Sequence, residues 1–383
     1  MDTDVQGRLL DRLLDLRDRH TTALADAVRR EPATSYTDPD RLRHEFRTLF
    51  RGHPLVVGLS CDLRHCGEYR ALEVAGVPVL LVRTEDGTVR AFLNSCRHRG
   101  SRVVEGSGMS ERLFKCPYHA WCYDIEGRLM GQPMARGAFD EVPAEELGLI
   151  RLPVAESGGL ILVRPSADTA PIDGAAHLGA LAEEFAAYGF EDLTLFAERT
   201  LDLRTSWKQP YETFLEAYHV FALHRDTISR EILSTPMLAD FFGPHGRGVL
   251  LGRKTERLIR ENGGRHTLRN TGNFIYWLFP NVVLSLPMTG HAELWQTYPD
   301  PDTPGRCTVA LRFYIPRAQA IEDRRPFWER MLDYTTRIVM EEDFPQQERI
   351  YQGLASGSHP GPVFGRNEPA LIHFHRCIDE ALS

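Results

Sequence analysis

The chain has 383 residues, 42% of them hydrophobic and 26% charged, and a formal net charge of -8. This length favours two globular domains, and the acidic balance gives no electrostatic basis for binding nucleic acid or an anionic membrane surface. The sequence has no run of 18 apolar residues, so no membrane-spanning helix is predicted. Its acidic start has neither the basic region nor the apolar core of a signal peptide, so no secretory leader is expected. The seven scattered cysteines do not form a disulfide framework. We therefore predict a cytoplasmic protein.

The N-terminal segment carries leucines close to helical spacing: Leu9, Leu10, Leu13, Leu14 and Leu16. They predict an amphipathic helix over residues 5–31, which Glu31-Pro32 would end. We expect residues 1–45 to form a helical segment that packs on the C-terminal domain.

Short apolar runs with turn residues between them follow. Glu73 to Arg83 and Val89 to Asn94 are predicted strands, and Glu85-Asp86-Gly87 between them is a hairpin turn signal. Further short strands are predicted up to residue 164, so residues 46–165 are predicted to form a small all-β domain.

Two Cys/His pairs lie inside this domain. Cys96 and His98 form a Cys-x-His pair, and Cys116 and His119 form a Cys-x-x-His pair, with seventeen residues between the two pairs. Two thiolates and two imidazoles are suited to a metal site. A structural zinc ion accepts this set, and so does a [2Fe–2S] cluster in which two histidines replace two cysteines on one iron.

A second set of ligand-type residues follows a polar linker at 166–176. Glu216, His219 and His224 form Glu-x-x-His-x-x-x-x-His. Two imidazoles and a carboxylate form the facial triad of non-haem iron oxygenases. On an ideal helix the two histidines would point about 140° apart, so we expect the helix to loosen or end between them.

The rest of the chain combines strands and a long helix. Alternation between residues 270 and 316 predicts an antiparallel meander, and an apolar stripe predicts a helix from about residue 321. Pro345 should take Phe344 out of α geometry and kink this helix beside the acidic run Glu341-Glu342-Asp343, which would turn one carboxylate inward.

The two motifs in this order, with Trp207-Lys208 upstream and Gln352-Gly353-Leu354 downstream, resemble the α-subunits of Rieske non-haem iron oxygenases. The resemblance implies an α+β fold, with a Rieske [2Fe–2S] β-domain over 46–165 and a catalytic helix-grip domain over 166–383, an antiparallel sheet with covering helices. It implies these ligands: Cys96, His98, Cys116 and His119 for the cluster, and His219, His224 and Asp343 for a mononuclear Fe(II).

The resemblance also assigns Glu216 as the electron-transfer bridge between His219 and His119 of the partner subunit, in a head-to-tail homotrimer. Three positions depart from the family pattern, and none of them is a ligand position in the family. Ser206 and Thr213 stand where the family has Asn, and Ala120 stands where most members have Gly.

The implied function is an oxygenase that uses O₂ to hydroxylate, or oxidatively demethylate, a small organic substrate. No G-x-G-x-x-G fingerprint is present, so electrons from NAD(P)H are expected through a separate reductase or ferredoxin. Two alternatives are an aromatic-ring cis-dihydroxylating dioxygenase and a Rieske electron carrier without oxygenase activity. Six aromatic residues are candidates for a substrate pocket or for core packing: Tyr211, Phe214, Phe221, Phe274, Tyr276 and Trp277.

Overall fold

The computed structural model describes residues 1, 3–110, 112–167, 170–262 and 268–383. The chain forms two compact units, Phe50–Leu178 and a second unit made of Met1–Leu49 with Gly179–Ser383. The predicted α+β fold, with a small β-domain and a larger domain of sheet and helices, is confirmed. The predicted boundaries at 45/46 and 165/166 differ from the unit limits. Asp168 and Thr169 of the predicted linker lie outside the described residues.

The N-terminal segment is less helical than its leucine pattern predicts. Its elements are α1 (Thr3–Asp18), β1 (Arg29–Arg30), α2 (Thr34–Thr37) and α3 (Pro39–Glu45). The prediction of one helix over 5–31 is wrong beyond Asp18. His20 adopts a left-handed φ of 52°, and the N–H groups of His20 and Thr21 donate to Arg17 and Leu16, at 2.9 and 3.0 Å. This hydrogen-bonded cap closes the helix.

The unit Phe50–Leu178 is built from short antiparallel strands. They are β2 (Leu55–Leu59), β3 (Glu68–Val74), β4 (Val77–Arg83), β5 (Val89–Leu93), β6 (Ser107–Met109), β7 (Leu113–Lys115), β8 (Cys122–Asp124), β9 (Leu129–Gly131), β10 (Arg151–Leu152), β11 (Val154–Ser157) and β12 (Leu160–Val163), followed by helix α4 (Gly174–Leu178). The strands form three sheets, with orders β10-β5-β4-β3-β6, β11-β12-β2 and β7-β8-β9.

One predicted strand of this unit is two strands. β3 and β4 are joined by Ala75-Gly76, whose φ angles are 48° and 72°, so a tight turn interrupts the run predicted from Glu73 to Arg83. Two consecutive residues with positive φ are typical of hairpin turns. The turn predicted at 85–87 is confirmed, because β4 and β5 pair antiparallel with Arg83 opposite Val89.

The remaining elements belong to the other unit. The helices are α5 (Leu181–Ala186), α6 (Lys208–Glu212), α7 (Arg253–Asn262), α8 (Arg325–Ile338), α9 (Phe344–Ala355) and α10 (Pro369–Leu382). The strands are β13 (Leu193–Leu203), β14 (Ile232–Phe242), β15 (His245–Gly252), β16 (Gly272–Leu278), β17 (Val282–Leu286), β18 (Ala292–Pro299), β19 (Cys307–Pro316) and β20 (Val363–Phe364).

A seven-stranded antiparallel sheet organises this unit, in the order β13-β19-β18-β17-β16-β15-β14. The predicted meander corresponds to β16–β19 and is confirmed. β13, β14 and β15 extend the sheet on both sides of the meander.

The long C-terminal helix is interrupted before its proline. Val339–Asp343 forms a π-helical turn between α8 and α9. Phe344 keeps α geometry, with φ -65° and ψ -35°, so the prediction that proline displaces it is wrong. Pro345 lies in the first turn of α9, where its missing N–H costs little. The irregularity is therefore the wider turn, which buries Asp343.

Candidate metal centres

The predicted cluster ligands lie on two loops that have the same backbone form. In the first loop the N–H of Gly100 donates to Cys96 at 2.8 Å, and the N–H of Cys96 donates to Ser101 at 2.7 Å. In the second, the N–H of Ala120 donates to Cys116 at 3.0 Å, and the N–H of Cys116 donates to Trp121 at 2.9 Å.

Both loops use a left-handed residue at the same place. Gly100 has a φ of 81° and Ala120 a φ of 58°. This conformation is easy for glycine and unfavourable for a residue with a Cβ. The departure of Ala120 from the family pattern therefore falls on a position where the backbone favours glycine.

Of the four side chains, the two cysteine thiols are buried and the two histidine imidazoles are more exposed. Cys96 and Cys116 are 4% and 2% exposed, whereas His119 is exposed and His98 half-buried. The Nδ1 atoms of the two histidines lie 3.1 Å apart. Burial, followed by the neighbouring His119, lowers the pKa of His98. A lowered pKa favours the neutral imidazole that binds metals.

Aromatic residues hold this group in place. Trp121 stacks on His98 with ring centroids 4.9 Å apart, and Phe139 meets both rings edge-on. The Tyr123 hydroxyl lies 3.2 Å from Cys96 Sγ and accepts the N–H of Arg97 at 3.0 Å. Burial raises the pKa of the Cys96 thiol, and the hydrogen bond with Tyr123 opposes that rise.

The second set of predicted ligands forms a tighter group. Among the described residues, His219, His224 and Asp343 alone bring three or more metal-ligating atoms within 4.8 Å of one another. The four cluster residues do not form such a group. Since one zinc ion would hold its donors about 2.0–2.3 Å from its centre, their wider spacing fits a two-iron cluster better than a single ion.

Irregular backbone presents the triad, as the histidine spacing predicts. α6 ends at Glu212, His219 lies in a short 3₁₀ turn (Tyr218–Phe221), and His224 follows in a non-helical turn. Asp343 comes from the π-helical turn. Its Oδ1 lies 3.1 Å from His224 Nε2 and 3.6 Å from His219 Nε2.

Each imidazole has a carboxylate on its other nitrogen. His219 Nδ1 makes a short contact with Glu216, whose second oxygen accepts the backbone N–H of His219 at 3.1 Å. His224 Nδ1 lies 2.5 Å from Glu342. Burial alone would lower the pKa of His224, but hydrogen bonds to Asp343 and Glu342 outweigh it and raise that pKa. Such outer carboxylates orient metal-ligating histidines.

Sequence reasoning missed several supporting residues. Thr227 Oγ1 donates to Glu342 at 2.8 Å, and Thr213 Oγ1 donates to Asp343 at 3.1 Å. Glu342 stands beside Asp343 in the acidic run, but the run alone does not show which carboxylate faces which side chain. The π-helical turn settles this, because it directs both Glu342 and Asp343 to His224.

A cavity of about 200 Å³ opens beside the triad. The sheet contributes Ile275, Ser285 and Glu293, and helix α8 contributes Met331 and Tyr334. Of the six aromatic candidates from the sequence, Phe214 lines the cavity. Phe221 is exposed. The other four are buried in the core: Tyr211, Phe274, Tyr276 and Trp277.

Two family models match the chain. A model of the Rieske [2Fe-2S] domain matches residues 53–145, and a model of the ring hydroxylating alpha subunit (catalytic domain) matches residues 190–383. The chain therefore belongs to the ring-hydroxylating α-subunit family of Rieske non-haem iron oxygenases, which confirms the predicted family. Its cofactors are a Rieske [2Fe–2S] cluster and a mononuclear iron, and the donor sets described above fit both.

Several relatives are oxygenase subunits. The glycine betaine monooxygenase oxygenase subunit of Chromohalobacter salexigens is 31% identical over 236 residues, which cover 60% of this chain and 51% of that protein. The chain thus matches about half the length of that relative. The carnitine monooxygenase oxygenase subunit of Escherichia coli is 24% identical over 363 residues, which cover 91% of this chain and 92% of that protein. The choline monooxygenase of Amaranthus tricolor is 26% identical over 373 residues, which cover 92% of this chain and 77% of that protein.

Solved structures share the fold. A quaternary ammonium Rieske monooxygenase in complex with L-carnitine superposes with a TM-score of 0.78 at 19% identity, covering 94% of this chain and 97% of that one. Naphthalene 1,2-dioxygenase from Rhodococcus sp. superposes with a TM-score of 0.73 at 18% identity, covering 100% of this chain and 98% of that one. Within the described residues, no helix combines the length and apolar character that a bilayer crossing requires.

Proposed function

We propose that this chain is the oxygenase component of a monooxygenase that hydroxylates a small methylated ammonium compound, or demethylates it through that hydroxylation. The observation that carries this proposal is the triad His219, His224 and Asp343, which opens onto a mainly apolar cavity. The relatives that act on glycine betaine, carnitine and choline support the substrate class.

The proposed ligands follow from the two groups of donor atoms. Cys96, His98, Cys116 and His119 would hold the cluster, and His219, His224 and Asp343 the mononuclear iron. When bound, the cluster supplies single electrons and the mononuclear iron activates O₂ beside the substrate.

The protein's own residues prepare the site. Glu216 and Glu342 accept hydrogen bonds from the Nδ1 atoms of His219 and His224, which leaves each Nε2 directed at Asp343. The apolar wall keeps water away from the reacting groups and holds the substrate methyl groups near the triad.

Glu216 is also the proposed electron-transfer bridge. Its carboxylate already contacts His219 and is 12% exposed, so part of it stays accessible to a second hydrogen-bond donor. We assign that donor as His119 of the partner subunit in a head-to-tail homotrimer, which a ring of heterologous contacts would close. Analytical ultracentrifugation tests the trimer, and a monomer that turns over at full rate would refute the bridge.

A separate reductase or ferredoxin is the proposed electron donor, fed by NAD(P)H. A cytoplasmic location is proposed because none of the seven cysteines forms a disulfide bond, which suits a reducing compartment. The structural likeness to naphthalene dioxygenase favours aromatic cis-dihydroxylation as the second candidate function.

Substrate-triggered O₂ uptake with a generic reductase, followed by product mass, tests the function. Incorporation of one oxygen atom supports monooxygenation, and two oxygen atoms with two hydrogen atoms support dihydroxylation. An electron carrier would contain two irons per chain instead of three and would show no substrate-dependent uptake.

A further inference from the structure

The sheet side of the cavity carries a buried carboxylate that the iron site does not use. Glu293 accepts hydrogen bonds from His291 Nε2 at 3.0 Å and Trp295 Nε1 at 3.1 Å, and its side chain is 8% exposed. His291 in turn meets the Thr289 hydroxyl at 2.5 Å through Nδ1 and stacks on Phe313. These contacts fix the carboxylate in one orientation.

The hydrogen bonds around Glu293 do not require a charged partner. A neutral imidazole satisfies both contacts of His291, because Nε2–H donates to Glu293 while Nδ1 accepts from Thr289. The indole of Trp295 is an uncharged donor as well. A buried carboxylate without a charged partner is stabilised when a cation binds beside it.

Apart from the iron that the triad would hold, the described part of the cavity lining offers no opposite charge. Among the described residues that line it there is no arginine or lysine, whereas Glu216, Glu231 and Asp343 line it together with Glu293. The remaining surface is largely apolar, with Met288 and Met331 among its side chains. Such a cavity suits a methylated cation, whose charge meets a carboxylate and whose methyl groups meet apolar side chains.

The neutral hydrogen-bond donor of the sheet, Ser285, is badly placed for a ligand carboxylate, because Glu293 beside it would repel the negative charge. Ser285 lies directly opposite Glu293 in the antiparallel pair β17–β18, so an anion bound to its hydroxyl would adjoin the Glu293 carboxylate. Oδ1 of Asn273 is buried without a hydrogen-bond partner among the described residues and is a further acceptor lining the cavity. It is suited to a ligand hydroxyl or N–H.

From this arrangement we infer that the cavity selects a small methylated ammonium cation that lacks a carboxylate, and that Glu293, held by His291 and Trp295, is its specificity-determining counter-charge. The inference rests on the proposed function and narrows its substrate class. Choline meets this description, whereas the zwitterions glycine betaine and L-carnitine do not.

Calorimetric titration of the reconstituted holoenzyme tests the selection without relying on turnover. The ligands are choline, glycine betaine, L-carnitine and 3,3-dimethylbutan-1-ol, the uncharged carbon analogue of choline. We expect choline to bind at least about tenfold more tightly than the other three, because it alone brings an uncompensated cation to a buried carboxylate.

The substitution Glu293→Gln isolates the charge, since glutamine retains an oxygen that accepts from Trp295 or His291. It should weaken choline binding at least about tenfold while leaving binding of the uncharged analogue unchanged. Glu329→Gln, at an exposed helix carboxylate paired with Arg325, is the matched control and should change neither. The visible spectrum of the cluster reports whether each variant folds.

Equal or tighter binding of a zwitterion, an unchanged preference in Glu293→Gln, or no binding of choline would overturn the inference. Substrate-triggered O₂ uptake is measured in parallel. If a zwitterionic or neutral compound triggers uptake, the proposed oxygenase function stands and the inference about Glu293 fails. If no organic compound triggers uptake in protein that holds both metal centres, the proposed function fails as well.

Discussion

The two candidate metal centres are built in opposite ways. The cluster residues come in two close pairs on loops of identical backbone form, with buried thiols and imidazoles that reach the surface. The triad joins residues as distant in the chain as His224 and Asp343, which are 119 positions apart. Each of its imidazoles has a carboxylate on the other ring nitrogen. An electron-transfer centre needs an accessible edge, whereas a centre for O₂ chemistry needs enclosure and fixed ligand orientation.

The largest expected effect separates the two centres. His219→Ala removes a proposed iron ligand, so turnover should fall below detection and iron should drop from three to two per chain, while the visible spectrum of the cluster persists. Iron analysis, spectroscopy and O₂ uptake measure this. Cys96→Ser is the converse control and should abolish the cluster spectrum. Turnover retained in His219→Ala would remove the proposed iron site.

A smaller effect is expected from the residue that orients His224. Glu342→Gln removes the charge from the carboxylate on His224 Nδ1 and should weaken iron binding about 10–100-fold. Competition with a ferrous chelator measures the affinity directly.

Glu341 is the matched control for this substitution, because it is the preceding residue of the same turn and is exposed. Glu341→Gln should leave iron affinity unchanged. An equal loss in both variants would mean that Glu342 acts only through overall charge.

At the cluster, Tyr123→Phe should lower the reduction potential. It removes the hydroxyl 3.2 Å from Cys96 Sγ, and hydrogen bonds to cluster sulfurs stabilise the reduced state. A redox titration followed by the visible spectrum measures the shift. Tyr118→Phe removes a hydroxyl that contacts Arg99 at an exposed position and should leave the potential unchanged, so a shift in both variants would contradict a specific role for Tyr123.

The smallest expected effect compares the two cluster loops. Ala120→Gly relieves a left-handed conformation and should stabilise the domain by about 1 kcal/mol, and Gly100→Ala at the matching place should destabilise it by about the same amount. Denaturant unfolding followed by loss of cluster absorption measures both. A destabilised Ala120→Gly would show that its methyl group contributes packing that exceeds the backbone cost.

Local signals account for the parts that the sequence predicts well. The cluster pairs, the hairpin turn at 85–87 and the meander β16–β19 depend on short spacings and alternation, and the structure contains all three. The helix predicted over 5–31 fails because a cap at His20, which no glycine or proline announces, closes it early.

Long-range features escape such reasoning. The assignment of Asp343 rests on family resemblance, and nothing local shows that Glu342 meets His224. The cavity floor, with Ser285 opposite Glu293, depends on the register between strands and not on any sequence motif. These positions are where the specific chemistry of the chain lies.

The π-helical turn Val339–Asp343 makes the iron site sensitive to chain length. Deleting Val339, Met340 or Glu341 would restore a regular helix and leave α9 in register, because a π-helical turn holds one residue more than an α-helical turn. Phe344 and Leu354 would keep their places in the core, but the wider turn that directs Glu342 and Asp343 to His224 would be gone. A single codon lost here would thus disable metal binding in a folded protein, although every ligand would still be encoded.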